Sequence, residues 1–331
     1  MSAVHSNISI FVPHIGCPNM CSFCNQRHIT GKRRAPRSTD VKKTIETAIN
    51  NSKNFDPKTT EIAFFGGSFT AINRQYMLGL LETAYEYVKN GSVCGIRIST
   101  RPDAIDHEIL ELLKNYGVTS IELGAQSLDD KVLKFNNRGH TSKDVINASK
   151  LIKEYGFSLG LQMMTGLYAD TDQKAIKTAE KIIELKPDTV RIYPTVVLKD
   201  TDLEAFFAEG FYKPQSLDEA VTLATKLLSM FNEANIKVIR LGLHSIEPKA
   251  YIAGPWHPAF SELCQSELFL NKVKSQLNET GDYVIFVNPS DVSKMIGQKR
   301  SNLIKLEEIG FNCKVIQDIK VNKNEIVVER G

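Results

Sequence analysis

The stretch Gly16-Cys17-Pro18-Asn19-Met20-Cys21-Ser22-Phe23-Cys24-Asn25-Gln26 holds three cysteines at the spacing C-x3-C-x2-C, just past the first apolar run of the chain. Three neighbouring thiolates can hold three irons of a four-iron cluster and leave the fourth iron without a protein ligand. Such an iron is open to a substrate-like ligand and to electron transfer. A closed tetrahedral zinc site needs a fourth Cys or His. His14 and His28 stand near enough in sequence to supply one. On the triad alone iron, zinc and a set of unligated thiols all stay open.

Outward from the cysteines, residues 8–199 alternate between β-rich runs and helical patterns. Residues 8–12, 61–65, 95–99, 120–123, 157–164 and 189–193 read as strands. Residues 41–51, 74–89, 106–116, 129–136, 142–155 and 172–185 read as helices. Asp40, Asn73 and Asp106 are the expected N-caps, and Gly91, Gly117 and Gly156 the expected left-handed ends. Six β-α units in succession predict an α/β fold with a parallel sheet and helices outside. Periodicity fits both a partial barrel and an open doubly wound sheet. After Pro194 the pattern changes to a loop over 194–215, a helix over 216–234 and a strand over 237–241. Pro248, Gly254, Pro255 and Pro258 mark an irregular stretch, and a small module begins near residue 281.

The chain has 331 residues, 42% hydrophobic and 24% charged, enough for one large core or a large and a small one. A net charge of +3 does not by itself announce a nucleic-acid partner. No apolar run approaches the ~20 residues of a membrane helix. Met1 to Asn7 lacks the basic flank of a signal peptide. A cytoplasmic protein with no membrane partner is expected. Cys94, Cys264 and Cys313 are isolated, which predicts packed thiols and neither a disulfide framework nor a second cluster motif.

Chemistry-bearing residues recur just past the strand ends, the edge where parallel α/β folds build their sites. Gly66 and Gly67 let a backbone approach a ligand closely. Ser99-Thr100-Arg101-Pro102 ends the third strand, and Gly124-Ala125-Gln126-Ser127 the fourth. An amide at Gln126 can bond ribose hydroxyls, and Arg138, twelve residues on, can meet a carboxylate by a bidentate pair.

The cysteine spacing, with Phe23 before the third cysteine, resembles the signature of the radical S-adenosylmethionine (radical-SAM) superfamily. Residues 8–200 resemble the core of the group holding the Elongator catalytic subunit and oxygen-independent coproporphyrinogen dehydrogenase. Gly124-Ala125-Gln126-Ser127, Asp129-Asp130, Val132-Leu133 and Arg138-Gly139-His140-Thr141 carry much of the likeness. Ile192-Tyr193-Pro194-Thr195-Val196-Val197-Leu198-Lys199, with Thr201 and Leu203, leans toward Elongator.

The resemblance implies a six-unit (β/α) partial TIM barrel and a 4Fe-4S cluster on Cys17, Cys21 and Cys24, with SAM on the open iron. It implies SAM contacts at Phe11 and Phe23 beside the adenosine and at Gly66, Gly67 and Ser68 near the methionine part. Ser99, Gln126, Arg138 and Gln162 follow at the later strand ends. Ser99 and Gln162 stand where related enzymes often carry acids. Arg101 and His140 fit either substrate orientation or packing in the barrel mouth. The implied reaction is reductive cleavage of SAM and hydrogen abstraction, fed by a one-electron reductant such as flavodoxin or ferredoxin. The implied division is a core over 1–200, an extension over 201–280 and a module over 281–331. The Elongator subunit has a longer gap between its first two cysteines and a C-terminal acetyltransferase domain. The roughly 50 residues after Gly281 are too few for such a domain.

Residues 281–331 read as β-α-turn-α-β, which resembles a KH-type RNA-binding module with Gly297-Gln298-Lys299-Arg300 at the turn. Arg300 stands where that family has its second glycine. Lys294, Gly297, Lys299 and Arg300 are the candidate RNA contacts here, and a plain cap on the barrel accounts for the same pattern. Lys32, Arg33, Arg34 and Arg37 put four positive charges close after the cysteines, on a solvated surface or a phosphate site. The expected function is a radical-SAM enzyme that modifies RNA, in particular tRNA. The alternatives are a radical-SAM enzyme acting on a small-molecule or tetrapyrrole precursor and a non-catalytic metal- or cluster-bearing RNA-binding protein.

Overall fold

In the computed structural model, which describes residues 5–12, 20–25, 34–53, 55–243 and 246–331, the alternation becomes one curled parallel sheet. Its elements run β1 (Ser6–Val12), α1 (Ser38–Asn51), β2 (Thr60–Gly66), α2 (Arg74–Lys89), β3 (Gly95–Thr100), α3 (His107–Asn115) and β4 (Val118–Gln126). They continue with α4 (Asp130–Phe135), α5 (Ser142–Glu154), β5 (Ser158–Thr165), α6 (Asp172–Leu185) and β6 (Thr189–Pro194). Each of these strands pairs in parallel with the next. Beyond them lie β7 (Val197–Leu198), α7 (Asp202–Ala208), α8 (Leu217–Glu233) and β8 (Lys237–Leu241). β8 adds a seventh strand beside β6, and the sheet ends at β1 and β8 without closing. It is a partial barrel.

The helices form where the sequence supplies caps and a stripe. Asn73 and Asp106 accept from the Tyr76 and Ile109 amides at 3.1 and 2.8 Å. Met77, Leu80, Leu81 and Ala84 of α2 are buried at i, i+3, i+4 and i+7, so one face meets the sheet. Gly91, Gly117 and Gly156 each take a positive φ. Asp40 is not an N-cap. Arg37 holds that place, and the Asp40 carboxylate lies inside the first turn, where it accepts the Arg37 amide at 2.9 Å.

The expected loop over 194–215 contains β7 and α7. The proline-marked stretch contains β9 (Tyr251–Ala253), antiparallel to β7, and leads into α9 (Phe260–Lys274). β7 and β9 are two and three residues long, too short to show a period. The stripe of α9 is blurred because it serves two cores. Phe260 and Cys264 join the barrel core, whereas Phe269, Leu270 and Val273 join Ile285, Val287, Met295 and Leu306. That second core belongs to β10 (Gly281–Val287), α10 (Val292–Ile296), α11 (Ser301–Glu307), β11 (Phe311–Gln317) and β12 (Ile326–Arg330). β10 is central, parallel to β11 and antiparallel to β12. Among the described residues, no helix is long and apolar enough to cross a membrane.

Candidate active site

The carboxyl ends of β2, β3 and β4, with a position on β5, converge on one cavity under the cysteine loop. Cys21, Phe23 and Cys24 line it with Gly66, Gly67, Ser68, Ser99, Gln126, Arg138 and Gln162. Nine SAM contacts were expected, and eight of them line this cavity; the ninth, Phe11, lays its ring against Gly66. Thr100, Arg101 and Gly124 line it too. Cys17 lies outside the described residues, as do His14 and His28.

Local backbone explains the shape. Gly66 has φ +120°, and a Cβ there would sit 2.4 Å from the Val12 carbonyl and 2.8 Å from Phe11 Cζ. The Gly67 amide donates to the same Val12 carbonyl at 2.9 Å. At the end of β4 the register with β5 shifts, and Gln126 takes φ +62°, a conformation held against its own preference. A Cβ on Gly124 would meet Gln126 Nε2 at 3.2 Å and Arg138 Nη2 at 3.3 Å. Ser68 is already engaged: its Oγ lies 2.8 Å from Thr100 Oγ1 and accepts the Arg101 amide at 3.2 Å.

Arg138 reaches across the mouth. Its Nη2 donates to the Gly124 carbonyl at 2.7 Å and its Nη1 to Cys21 Sγ at 2.9 Å. Arg101 holds Arg138 in turn, Nη2 donating to its carbonyl at 3.2 Å, while its Nε pairs with Asp103. His140 is buried beside them, its Nε2 3.3 Å from the Ala125 carbonyl. Burial, together with the Arg138 charge, pushes the His140 pKa down to about 4, so the ring is neutral at pH 7. Arg101 thus stands on the cavity wall and His140 packs behind it at the barrel mouth.

Three buried polar atoms on residues lining the cavity have no protein partner: Ser99 Oγ, Gln126 Oε1 and Arg138 Nε. Leaving such atoms unpaired is costly, so a polar ligand in the cavity is what this set fits. Two thiols, a glycine cradle, a hydroxyl, an amide and a guanidinium suit a metal centre with a zwitterionic, hydroxyl-bearing ligand.

Below the cavity the barrel interior is charged, a feature missed by the sequence reading. Glu122 is fully buried; its Oε1 accepts from Arg191 Nη2 at 2.7 Å and Arg97 Nη1 at 3.2 Å, and its Oε2 from Gln162 Nε2 at 3.1 Å. Arg97 also pairs with Glu61 at 2.8 Å, and Glu61 accepts from Thr119 and Ser120 at 2.6 and 2.7 Å. Burial pushes the Glu61 carboxyl up, but Arg97 and the two hydroxyls outweigh it and hold it below its ordinary value. The signal was present as Glu61, Arg97, Glu122, Gln162 and Arg191 inside strand runs.

Of the basic candidates, Lys32 and Arg33 lie outside the described residues. Arg34 pairs with Asp40 at 3.0 Å, and Arg37 is exposed. Lys294 is bound to Asp291 at 2.7 Å and Asn324 at 3.0 Å, within the module. Gly297 has φ +75°, with Ser301 and Ser266 closely packed on its α-carbon. Lys299 and Arg300 are exposed, and both are left-handed, at φ 51° and 64°.

A curled parallel partial barrel with a cysteine loop and a glycine cradle at its carboxyl edge defines a radical-SAM type of architecture. Residues 11–182, just over half of the chain, match the radical SAM superfamily, and residues 187–269 match the radical SAM C-terminal domain. The chain belongs to the radical SAM superfamily and is an enzyme. It is 26% identical over 240 residues to a tRNA uridine(34) acetyltransferase of Dehalococcoides mccartyi, covering 62% of this chain and 52% of that protein. It is 32% identical over 190 residues to human Elongator complex protein 3, covering 51% and 35%. The chain thus spans about half the length of the first of these relatives and a third of the second. Among solved structures, an archaeal Elp3 of Methanocaldococcus infernus superposes with a TM-score of 0.66 at 20% identity, over 83% of this chain and 64% of that one.

Proposed function

We propose that this enzyme holds a 4Fe-4S cluster on Cys17, Cys21 and Cys24 and uses SAM to abstract hydrogen from a base of RNA, in particular tRNA. The observation that carries the reading is the trio of unpartnered buried atoms, Ser99 Oγ, Gln126 Oε1 and Arg138 Nε, on residues lining one cavity with Cys21 and Cys24. When bound, the cluster and SAM supply one-electron cleavage of a sulfonium and the hydrogen-abstracting species that follows.

The chain's own part is binding, orientation and exclusion. Gly66 and Gly67 admit the methionine part against bare backbone. Arg138, fixed by Gly124 and Cys21, keeps Nε for a carboxylate. Gln126 keeps its Oε1 to accept from a ribose hydroxyl, and Glu122 accepts one amide hydrogen of Gln162 at 3.1 Å and so steadies that side chain on the cavity wall. Phe23 packs with Val132, Met164, Leu167 and Leu203 and seals one side of the adenosine from water.

The RNA part rests on the relatives named for tRNA uridine(34) and on the exposed Lys299 and Arg300. In this reading residues 1–200 are the core, 201–280 its extension and 281–331 an RNA-facing module. The electron comes from a cytoplasmic one-electron carrier such as flavodoxin or ferredoxin. The test is mass spectrometry of nucleosides from tRNA and rRNA of a deletion strain. One modified nucleoside should disappear; an unchanged profile contradicts the RNA substrate.

A further inference from the structure

Ser22 lies between two of the cysteines, and every polar group it has is engaged. Its amide donates to the Asn136 carbonyl at 3.2 Å, its Oγ to Asn136 Oδ1 at 2.9 Å, and its carbonyl accepts the Leu203 amide at 2.8 Å. Both Ser22 and Asn136 are fully buried. The Asn136 amide nitrogen donates to the carbonyls of Val132 at 2.8 Å and Tyr168 at 2.9 Å. One side chain thus ties the cysteine loop to α4 and to the segment after β5. Only a group that both accepts and donates twice fills this place. Neither residue lines the cavity, so neither is a ligand contact.

Arg138, which donates to Cys21 Sγ at 2.9 Å, stands two positions along the same turn. Residues 21–25 form no helix or strand; the Cys24 amide donates to the Cys21 carbonyl at 3.0 Å within them, and the bonds to Asn136, Leu203 and Arg138 hold that turn against the barrel. Hydrogen bonding and solvent access around the sulfurs set how tightly an iron–sulfur centre is held and at what potential it works.

We propose that Asn136, acting through Ser22, is a positioning residue for the metal centre. It fixes the loop that presents Cys21 and Cys24 and so sets the spacing and wetting of their thiolates. This rests on the reading that the cysteines hold an iron–sulfur cluster.

The test uses the full chain, reconstituted without oxygen, as wild type, Asn136→Ala and Ser22→Ala. Iron and sulfide content, the rate of iron loss to a chelator and the electron paramagnetic resonance spectrum of the reduced protein are compared. Asn136→Ala should lose iron about tenfold faster or more, with shifted g values, and Ser22→Ala should change both in the same direction by less. Wild-type chelation rates and spectra in both variants would overturn the proposal. If Asn136→Ala does not fold, Ser22→Ala decides alone. Wild-type protein without iron and sulfide would instead sink the cluster reading on which the proposal stands.

Discussion

His140 shows how the site couples to stability. Its folded pKa of about 4 lies below the ordinary value of 6.5, so between those values the folded protein binds fewer protons than the unfolded chain. The stability it contributes is complete above about 6.5 and is lost as pH falls toward 4, by about 3 kcal/mol in all. Denaturant unfolding of the metal-free protein at pH 7 and pH 4.5 should show a smaller acid loss in His140→Asn than in wild type. An equal loss would contradict the burial argument. Gly66 tests the cradle in the same way. Its φ of +120° is open to glycine almost alone, so Gly66→Ala should cost about 1–3 kcal/mol from the backbone, before the collision with the Val12 carbonyl. An unchanged midpoint in that variant would mean the cradle is not built as described. Glycines and arginines such as Gly66 and Arg138 were legible in the sequence because their chemistry is local. Asn136 was not, since its meaning comes from Ser22, 114 positions away.

At the scale of elements, the strands of the barrel were legible because each is a β-rich run ending in a turn signal. The helix α9 was not, because its apolar residues are shared between two cores on different sides. It carries a prediction. Phe269 is buried at the centre of the small core, and Phe269→Ala should cost about 3–5 kcal/mol there. Hydrogen exchange should show protection lost across 281–331 while β2–β5 stay protected; uniform loss would mean the two cores unfold as one. The turn between α10 and α11 carries another. Two adjacent exposed basic residues in left-handed conformation are a strained feature with no packing to explain them. Reversing both, Lys299→Glu with Arg300→Glu, should lower tRNA affinity by about tenfold or more and flatten its salt dependence, with the melting temperature unchanged. Wild-type affinity would make the module a cap on the barrel and nothing more.

At the scale of the molecule, an open parallel sheet leaves a wide carboxyl edge, and hydroxyl, amide and guanidinium side chains gather there around a cavity beneath the cysteines. Under the cavity the barrel is filled by Glu61, Arg97, Glu122 and Arg191, two charges of each sign, in place of an apolar plug. Burying ions this way is weak support for stability and better support for a fixed geometry, since each carboxylate and guanidinium fits one arrangement. A parallel sheet and its carboxyl edge were therefore readable from the order of units, the curl into a partial barrel only from the family resemblance, and the charged interior only from the contacts. The most direct measurement is the 5′-deoxyadenosine released when oxygen-free, iron- and sulfide-reconstituted protein meets SAM and dithionite. A SAM-cleaving cluster on these cysteines predicts release by wild type and none by Cys21→Ala. Zinc in place of iron, or no release from iron-loaded wild type, would contradict it.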